Sequence, residues 1–483
     1  MNAQLSSIAA AFACGAFVAC GGSGSTGASS TTTGAPDSGA ANVDAGAASG
    51  EDASSAPDGD GGPPADPGAP SKTYPAFPPD FGQVVNNGGH VMSHATLVAI
   101  TWDIDTSQAS FDTFADTIGQ TNYWNAATGE YGVGPAACGG ANHVHLSTTA
   151  PMQVTDQDIQ NMVIANAGGM AAVADAGGGA VAEAGAAAPA WPAPTQDTIY
   201  AFFLAPGTSL QIQAGPGSGT MDACSAGIGG YHDQVTVGGV TTSYAVVPSC
   251  TFPGGNTAAQ QTTMSMSHEL IEAVTDPDPQ QAMPGYIGFD DAHFSFDWFQ
   301  EFSDEVGDAC ELFKQSFFED QETSPVAFDY WVQRTWSNKA GPEGHDPCQP
   351  APSTPYFNVT PLNLDMVTLT LPAQLSSNGA TQNIQTKGLH IASGATAMLD
   401  LGFYSDAPTA GPWTLSYSLG SPISQKKQTY LNVALDRTSG QNGEKAHASI
   451  TVTSLGSLKG ELLVFHSTMN GVTHYMPVVI GSE

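Results

Sequence analysis

Lysine and arginine are scarce in this sequence of 483 residues. Ten basic residues stand against 45 acidic ones, which gives a formal net charge of −35 at pH 7. A chain with this charge repels phosphate backbones and anionic lipid headgroups, so nucleic-acid binding is excluded. No lysine or arginine lies between Lys72 and Lys314. Carboxylates that cluster in this stretch are therefore solvated, protonated, paired with a distant residue such as Arg334, or bound to a metal ion.

Long hydrophobic runs are also absent after the first twenty residues. A membrane-spanning helix needs about 20 consecutive apolar residues, and no later segment approaches that length. The start of the chain contains the apolar stretch Ile8–Ala19 followed by Cys20. This ending resembles a bacterial lipobox. It predicts a lipoprotein signal peptide over residues 1–20 and a lipid on Cys20 as the only membrane anchor, at the outer membrane or cell surface. Phe17 in place of leucine and the lack of a basic start leave a secreted form or another start codon open.

Large apolar residues are missing from residues 21–72, which consist mainly of Gly, Ser, Thr, Ala, Pro and Asp. Such a segment cannot bury enough apolar surface to offset the entropy of ordering, so a disordered tether is predicted. The Ala- and Gly-rich residues 168–194 are predicted to be a surface insertion. The rest of the chain is predicted to divide at a proline-rich joint into two separately folding domains, residues 73–350 and residues 355–483.

Apolar periodicity predicts the fold class. Before the joint, strand-length apolar runs such as Ala95–Trp102 and Thr198–Leu204 alternate with helical patterns such as Thr155–Ala165, which predicts a mixed α/β domain. After the joint, short alternating runs such as Met366–Leu371 and Trp413–Leu419 are separated by turn residues. This second pattern is typical of an all-β sandwich of immunoglobulin-like type.

Seven cysteines are present, of which Cys14 and Cys20 belong to the predicted signal. The other five would lie in an oxidising compartment, and two disulfides with one cysteine left over fit this number best. Nearness along the chain favours two pairs, although Cys138 could displace any of the partners. The favoured pairs are Cys224 with Cys250 and Cys310 with Cys348.

A long helix is predicted from about Thr257 to Thr275, because the sequence Asp-Pro-Asp-Pro then ends it. This helix contains the sequence H-E-L-I-E from His268 to Glu272. Residues four apart share a helix face, so these two side chains can bind one metal ion while Glu269 reaches a water molecule beside it. The arrangement is that of zincin peptidases, with a carboxylate in place of the second histidine, and it makes the N-terminal domain zincin-like. A solvated acidic helix face is the alternative interpretation of the motif.

A second acidic cluster follows in the sequence at residues 303–310. Glu305 is predicted to be the third metal ligand and Asp308 to orient the imidazole of His268. His232 or Asp276 can supply a further ligand, although a histidine at a strand edge is more often a structural residue. Carboxylates that converge without a cation would repel one another strongly, so either these side chains do not converge or a metal ion joins them.

Two other histidines, His143 and His145, alternate on a predicted strand near Cys138. They indicate either a metal or thiol site or simply one face of a strand, and the second interpretation is favoured. Ser267 beside His268 is not a nucleophile pair, because neighbours on a helix do not face one another and no G-x-S-x-G turn surrounds the serine.

The motifs occur in an order that resembles a known family, the phosphate-induced protein 1 (EXORDIUM-like) family. The likeness covers about residues 95–350 and is closest to myxobacterial-type lipoproteins that carry an additional β-rich C-terminal domain. It implies an extracellular protein, in plants a cell-wall growth factor, with a shared site and an enzymatic activity that is not settled. The matching segments are Tyr231-His232, Tyr244–Val247 before Cys250, Ser267–Pro277, Glu305–Cys310 and Trp336-Ser337.

Two functions from different classes are compatible with these residues. In the first, His268, Glu272 and Glu305 bind Zn²⁺ in a hydrolase, in particular a peptidase, that acts on a peptide, protein or cell-wall substrate and uses Glu269 to take a proton from water. In the second, a non-catalytic surface protein holds a structural metal ion, and its β-sandwich binds a glycan or partner. Such a carboxylate-rich ligand set is hard, so Ca²⁺ or Mn²⁺ is an alternative to Zn²⁺.

Overall fold

The computed structural model describes residues 66–167, 191–213, 219–252, 255–300, 305–313, 315–371, 381–420, 430–453 and 459–481. The predicted signal peptide with Cys20, and most of the predicted tether and insertion, lie outside these residues. Residues 67–483 belong to one compact unit. Within the described ranges, no helix combines the length and the apolar character needed to cross a membrane.

The described residues contain eight α-helices and 24 strands. The helices are α1 (Gln108–Thr117), α2 (Asn122–Thr128), α3 (Asp156–Ala167), α4 (Ala223–Ala226), α5 (Ala258–Thr275), α6 (Phe294–Phe299), α7 (Asp308–Glu311) and α8 (Ala340–Glu343). The strands up to residue 350 are β1 (Val84–Asn86), β2 (Thr96–Trp102), β3 (His143–Leu146), β4 (Gln153–Thr155), β5 (Thr198–Phe203), β6 (Ser209–Gln213), β7 (Thr220–Asp222), β8 (Tyr231–Val237), β9 (Val240–Val247), β10 (Tyr286–Phe289), β11 (Phe317–Glu322), β12 (Phe328–Gln333), β13 (Thr335–Trp336) and β14 (Cys348–Gln349). The later strands are β15 (Phe357–Pro361), β16 (Asp365–Leu371), β17 (Gln382–His390), β18 (Thr396–Ser405), β19 (Trp413–Leu419), β20 (Leu431–Leu435), β21 (Ser439–Gly440), β22 (Lys445–Val452), β23 (Gly460–Met469) and β24 (Val472–Gly481).

A five-stranded sheet in the order β3-β2-β5-β9-β8 organises the N-terminal part. Its first four strands are parallel and β8 is antiparallel to β9. Strand β5 is buried along its whole length, as expected for an inner strand covered on both faces. Helix α5 packs against β9 on one side and against β12 on the other. The helix that carries the H-E-x-x-E motif is thereby enclosed.

The start and end of α5 follow from local sequence. Thr257 and Gln260 form a capping box, in which each side chain accepts a hydrogen bond from the other residue's backbone N–H. The helix ends before Asp276, as the following proline requires. The predicted helix at 257–275 is therefore confirmed, and so is the predicted strand at 95–102, which is β2.

The predicted fold class, an α/β zincin-like N-terminal domain followed by an immunoglobulin-like sandwich, is wrong. The chain is mostly β: 40% of the described residues are strand and 22% helix, and the strands form seven sheets of two to six strands. Two-residue strands such as β13 and β14 are too short to show a period of two, so the sequence does not reveal them. The predicted share of helix in the N-terminal part was therefore too high. Pairing of distant strands, such as β1 with β10, depends on packing rather than on local periodicity.

The described residues after 356 form two β-sheets without a helix. One sheet has the order β15-β18-β22-β20, and the other has the order β16-β17-β24-β23-β19-β21. The pairing is antiparallel except between β17 and β24. The alternating runs predicted at 366–371 and 413–419 are confirmed as β16 and β19.

One hydrophobic core extends through both parts of the chain. The same cluster of buried apolar side chains includes Leu270 of α5, Trp336 of β13, Tyr356 and Ile480 of β24. The proline-rich segment near residue 350 thus does not coincide with a gap in the core. Separate folding of residues 73–350 and 355–483 stays a prediction.

A polar network also joins the two parts, and it makes stability depend on pH. The two ring nitrogens of His293 lie 3.0 Å from Asp80 Oδ1 and 2.7 Å from Asp290 Oδ1, and Lys387 of β17 pairs with Asp80. Burial by itself lowers the pKa of His293, but the hydrogen bonds to Asp290 and Asp80 raise it to about 8. The charged imidazole therefore stabilises the folded state fully below its unfolded pKa of about 6.5, and this stabilisation is lost as the pH rises through about 8.

We expect this change to lower the free energy of unfolding by about 1 kcal/mol between about pH 6 and pH 9, after allowance for solvent screening of the half-buried pair. Urea unfolding at both pH values measures it. In the variant His293→Gln, which cannot gain the charge, the difference between the two pH values should shrink by that amount. An identical pH dependence in both proteins would contradict the prediction.

Candidate metal centre

The H-E-x-x-E residues lie on a buried segment of α5. His268 is 8% exposed, Glu269 5% and Glu272 3%. The solvated acidic helix face considered for this motif is therefore not what the structure shows. Buried carboxylates need a compensating partner, since water is excluded from them.

Glu272 lies at the centre of a cluster of imidazoles and carboxylates. Its Oε2 lies 3.0 Å from Nε2 of His268 and 3.6 Å from Nδ1 of His232. The same nitrogen of His232 lies 3.7 Å from Oε2 of Glu305 and 3.8 Å from Oε2 of Glu269. The donor atoms of His232, Glu272 and Glu305 lie within 4.8 Å of one another, as do those of His268, Glu269 and Glu272. Three separate chain segments thus bring five potential ligands together.

Of the predicted ligands, His268 and Glu305 each lie within 4.8 Å of Glu272 in a group of their own, and no group of the described residues at this spacing contains both of them. Asp308 lies near His268, but its Oδ1 is 3.6 Å from Nε2, the same ring nitrogen that faces Glu272, so its predicted role of orienting this imidazole stays a prediction. Its backbone N–H donates a hydrogen bond to Glu272 Oε1 over 3.1 Å.

Asp276 has another position: its Oδ1 accepts a hydrogen bond from the N–H of Gly285 over 2.7 Å. Its other oxygen, Oδ2, is buried without a hydrogen-bond partner in the described structure. Burial raises the pKa of this carboxyl and the nearby imidazole of His232 lowers it, so Asp276 as a further ligand stays a prediction.

His232 has a more central place than the sequence indicates. Its Nε2 lies 3.2 Å from the carbonyl oxygen of Asp276, so a proton on Nε2 leaves Nδ1 directed at the carboxylates. A histidine held in this way by a backbone carbonyl has the tautomer and orientation of a metal ligand. The feature that places His232 in the cluster is its position at the start of β8, because the neighbouring strand β9 packs against α5.

Glu311 is a member of the cluster that sequence reasoning missed. Burial raises the pKa of its carboxyl, while the nearby imidazole of His268 lowers it and Glu272 raises it. It lies three residues after Asp308 in α7, so both side chains share one helix face. This spacing is the feature of the sequence from which Glu311 could have been predicted.

The electrostatics of the cluster show an excess of carboxylates. Burial raises the pKa of Glu305 and of Asp308 well above the usual range. Burial opposes charge on His268 and His232 as well, but the surrounding carboxylates raise both imidazole pKa values well above normal. The pKa of Glu272 is lowered by these imidazoles although burial opposes it. In the absence of a further cation these directions favour protonated Glu305 and Asp308, and a nearby cation would favour their ionised forms.

Lysine and arginine do not supply that charge in the described part of the chain, where the ion pairs of Glu272 and Glu305 are with His232 and His268. Arg334, the distant cation considered from sequence, has its guanidinium carbon 3.9 Å from the ring centre of Phe318. Its Nε–H donates to the carbonyl of Gln315 over 2.8 Å. A divalent cation bound here would balance the charge of the ionised carboxylates.

No protein family and no curated protein matches this chain. The solved structures that resemble it include domains 4 and 5 of the S-layer protein SbsC, at 9% identity and a TM-score of 0.14, covering 35% of this chain and 100% of that one. Domains 1–6 of the surface layer protein SbsC have the same identity and TM-score, and the likeness covers 35% of this chain and 25% of that one. At such a TM-score neither likeness supports an argument about fold or function.

Two glycines leave room for the close approach of these segments. A Cβ atom on Gly307 would lie 2.6 Å from Glu272 Oε1 and 2.8 Å from His268 Nδ1. A Cβ atom on Gly230 would lie 2.7 Å from Glu269 Oε1. All three distances are below van der Waals contact, so a side chain at either glycine would displace the side chains of the cluster.

Neighbouring residues fix the segment that carries Glu305 and Asp308. Gln333 donates its backbone N–H to Ser267 Oγ over 3.0 Å and its side-chain N–H to the carbonyl of Gly307 over 2.9 Å. Ser267 therefore has a structural role, as expected. The disulfide Cys310–Cys348 ties α7 to β14, and the pairs Cys310–Cys348 and Cys224–Cys250 are both confirmed, with Cys138 free.

Proposed function

We propose that this protein is an extracytoplasmic metal-dependent hydrolase, in particular a peptidase, whose ion is bound by His232, His268, Glu272 and Glu305. The observation that carries the proposal is the convergence of two imidazoles and several buried carboxylates around Glu272, whose ion pairs within the described ranges are with histidines. The two disulfides fit an oxidising compartment outside the cytoplasm. Lipid anchoring through Cys20 and membership of the EXORDIUM-like family belong to the same proposal.

The donor set suits Zn²⁺. Zinc in proteins takes imidazole nitrogens and carboxylate oxygens at about 2.0–2.2 Å, which places neighbouring ligands of a tetrahedral site about 3.3 Å apart. The distances of 3.0, 3.6 and 3.7 Å in the cluster are close to that separation. The second imidazole makes the set softer than the one expected from sequence, and so favours zinc over calcium. A bound divalent ion would act as a Lewis acid that lowers the pKa of water and polarises a substrate carbonyl.

Glu269 is the residue proposed to move the proton. It lies one position after His268 on α5, and burial raises the pKa of its carboxyl. A carboxylate of raised pKa accepts a proton from water more readily at neutral pH and can then donate it to a leaving amine. The carbonyl of Asp276 orients the imidazole of His232, which keeps its Nδ1 directed at the carboxylates.

A second candidate function, a non-catalytic surface protein with a structural metal ion, is favoured by the burial of the cluster. The most exposed side chains of the group are Asp308 at 23% and Glu305 at 14%. A substrate would have to approach from that side. Replacement of Glu269 by glutamine distinguishes the two functions.

Metal content tests the ligand set. We expect the full chain, purified without chelators, to contain zinc, and we expect His232→Asn or His268→Asn to lower the zinc affinity by more than about 100-fold, because even outer partners of zinc ligands are worth about 10- to 100-fold. Elemental analysis and zinc titration measure this. His345→Asn is the matched control, since His345 is 53% exposed, lies outside the cluster and has its Nδ1 3.3 Å from Asp406 Oδ2. A full chain that binds neither zinc, calcium nor manganese would exclude both candidate functions.

A further inference from the structure

A second group of metal-ligating side chains lies at the opposite edge of the five-stranded sheet. Strand β3 is one edge strand and β8, which carries His232, is the other. Four strand spacings separate them, which corresponds to about 19 Å. This second group is therefore a different location from the cluster around Glu272.

The side chains of this second group come from one strand and one helix, and the repeat of each element places them on a common face. His143 and His145 are two residues apart in β3 and so project from the same face, with ring centres 6.2 Å apart and planes 14° from parallel. Asp112 and Asp116 are four residues apart in α1 and share one helix face. The pair of carboxylates thus faces the pair of imidazoles.

One oxygen of Asp112 is shared by both histidines. Its Oδ2 lies 2.9 Å from Nε2 of His145 and 3.9 Å from Nδ1 of His143. One donor atom from each of the three residues lies within 4.8 Å of the other two. The other oxygen, Oδ1, is buried without a hydrogen-bond partner in the described structure. An unpartnered buried carboxylate oxygen is costly, and a cation beside it would remove that cost.

The far nitrogen of His143 has the partner that a metal-bound histidine usually has. Its Nε2 lies 2.9 Å from Oδ1 of Asp116, so that a proton on Nε2 leaves Nδ1 as an acceptor directed at Asp112. Carboxylates orient metal-ligating histidines in this way in many proteins. If Asp112 and Asp116 only formed separate ion pairs with the two histidines, neither this tautomer of His143 nor an oxygen of Asp112 close to both imidazoles would be needed.

We propose that Asp112, His143 and His145 form a second binding site for a divalent transition-metal ion such as Zn²⁺, with Asp116 positioning His143. Two imidazoles and a carboxylate are donors that such ions prefer over Ca²⁺ or Mg²⁺. The ion would link α1 to an edge strand whose outer side has no strand partner in the described sheet. Its role is therefore to stabilise this edge of the fold.

Zinc titration of the full chain tests the site. We expect His143→Asn/His145→Asn to bind one equivalent of Zn²⁺ less than the wild type, and to lose the part of the thermal stabilisation that this equivalent provides. Asp112→Asn, which preserves side-chain size, should lose the same equivalent if the double variant folds poorly. His345→Asn is the matched control and should keep it. The number of zinc equivalents lost is measured relative to the wild type. The result therefore does not depend on whether the cluster around Glu272 binds metal.

Unchanged zinc stoichiometry in the double variant would overturn the proposal. Equal losses in His345→Asn would also overturn it, because zinc would then be binding surface histidines in general. Cys138 offers a sulfur close to His143 and Asp116 and defines one more control. Cys138→Ser should retain the equivalent, and its loss there would contradict the proposed ligand set.

Discussion

Replacing Glu269 by glutamine should leave zinc bound and lower hydrolysis by about 10²- to 10⁴-fold, the usual contribution of a positioned general base. Glutamine has nearly the same size but cannot accept a proton from water. Glu269 is the member of the H-E-x-x-E motif that the proposal keeps out of the ligand set, so metal content should not change. Cleavage of a library of internally quenched peptides, with elemental analysis of the same samples, measures both properties.

Glu319→Gln is the control for this experiment, because that glutamate lies on the exposed side of β11. It should retain both activity and zinc. Hydrolysis that is equal in wild type and Glu269→Gln would assign the activity to another protein or another residue. A wild type that binds zinc and cleaves nothing would instead favour the structural metal site.

Removing the disulfide between Cys310 and Cys348 should destabilise the protein by about 4 kcal/mol and weaken zinc binding as well. The bridge closes a loop with a sequence separation of 38 residues. Loop-closure entropy for that length gives about 4 kcal/mol, which is a large part of the stability of a typical domain. Cys310 lies in α7 beside Asp308, so the loss also loosens a segment that carries the cluster.

Urea unfolding and zinc titration of Cys310→Ala/Cys348→Ala measure the two effects. The matched control is Cys224→Ala/Cys250→Ala, whose bridge spans 26 residues. Its removal should cost a similar free energy of unfolding, about 3.5 kcal/mol, but less zinc affinity, since neither cysteine lies in an element that carries a member of the cluster, whereas α7 carries Asp308 and Glu311. Equal loss of zinc affinity in both variants would show that the effect is one of global stability alone.

The sequence predicted those parts of the site that depend on local rules. Helix α5 has a capping residue, a period of 3.6 and a proline stop, and spacing along one helix fixed His268, Glu269 and Glu272 relative to one another. The two disulfides were also found, because each joins cysteines that are near in sequence. These relations involve neighbours along the chain, which a pattern can reveal.

The place of His232 was decided by the fold. The sequence offered it as a further ligand and gave the structural interpretation more weight, because a single histidine in a strand carries no spacing signal. Only the antiparallel pairing of β8 with β9, and the packing of β9 against α5, put its Nδ1 beside Glu272 and Glu305. Glu311 had a spacing signal, three residues after Asp308 in α7, but only the fold brings its carboxyl close enough to His268 and Glu272 for them to shift its pKa.

The sequence by itself determined the charge excess, the motif helix, the cysteine pairs and the longer strands, because composition and short-range periodicity are sufficient for them. The tertiary structure alone decided the mostly β fold, the core shared across residue 350, and the meeting of imidazoles and carboxylates from distant segments. Strands of two to four residues have no readable period, and contacts between residues far apart in sequence arise only when burial of apolar surface brings them together.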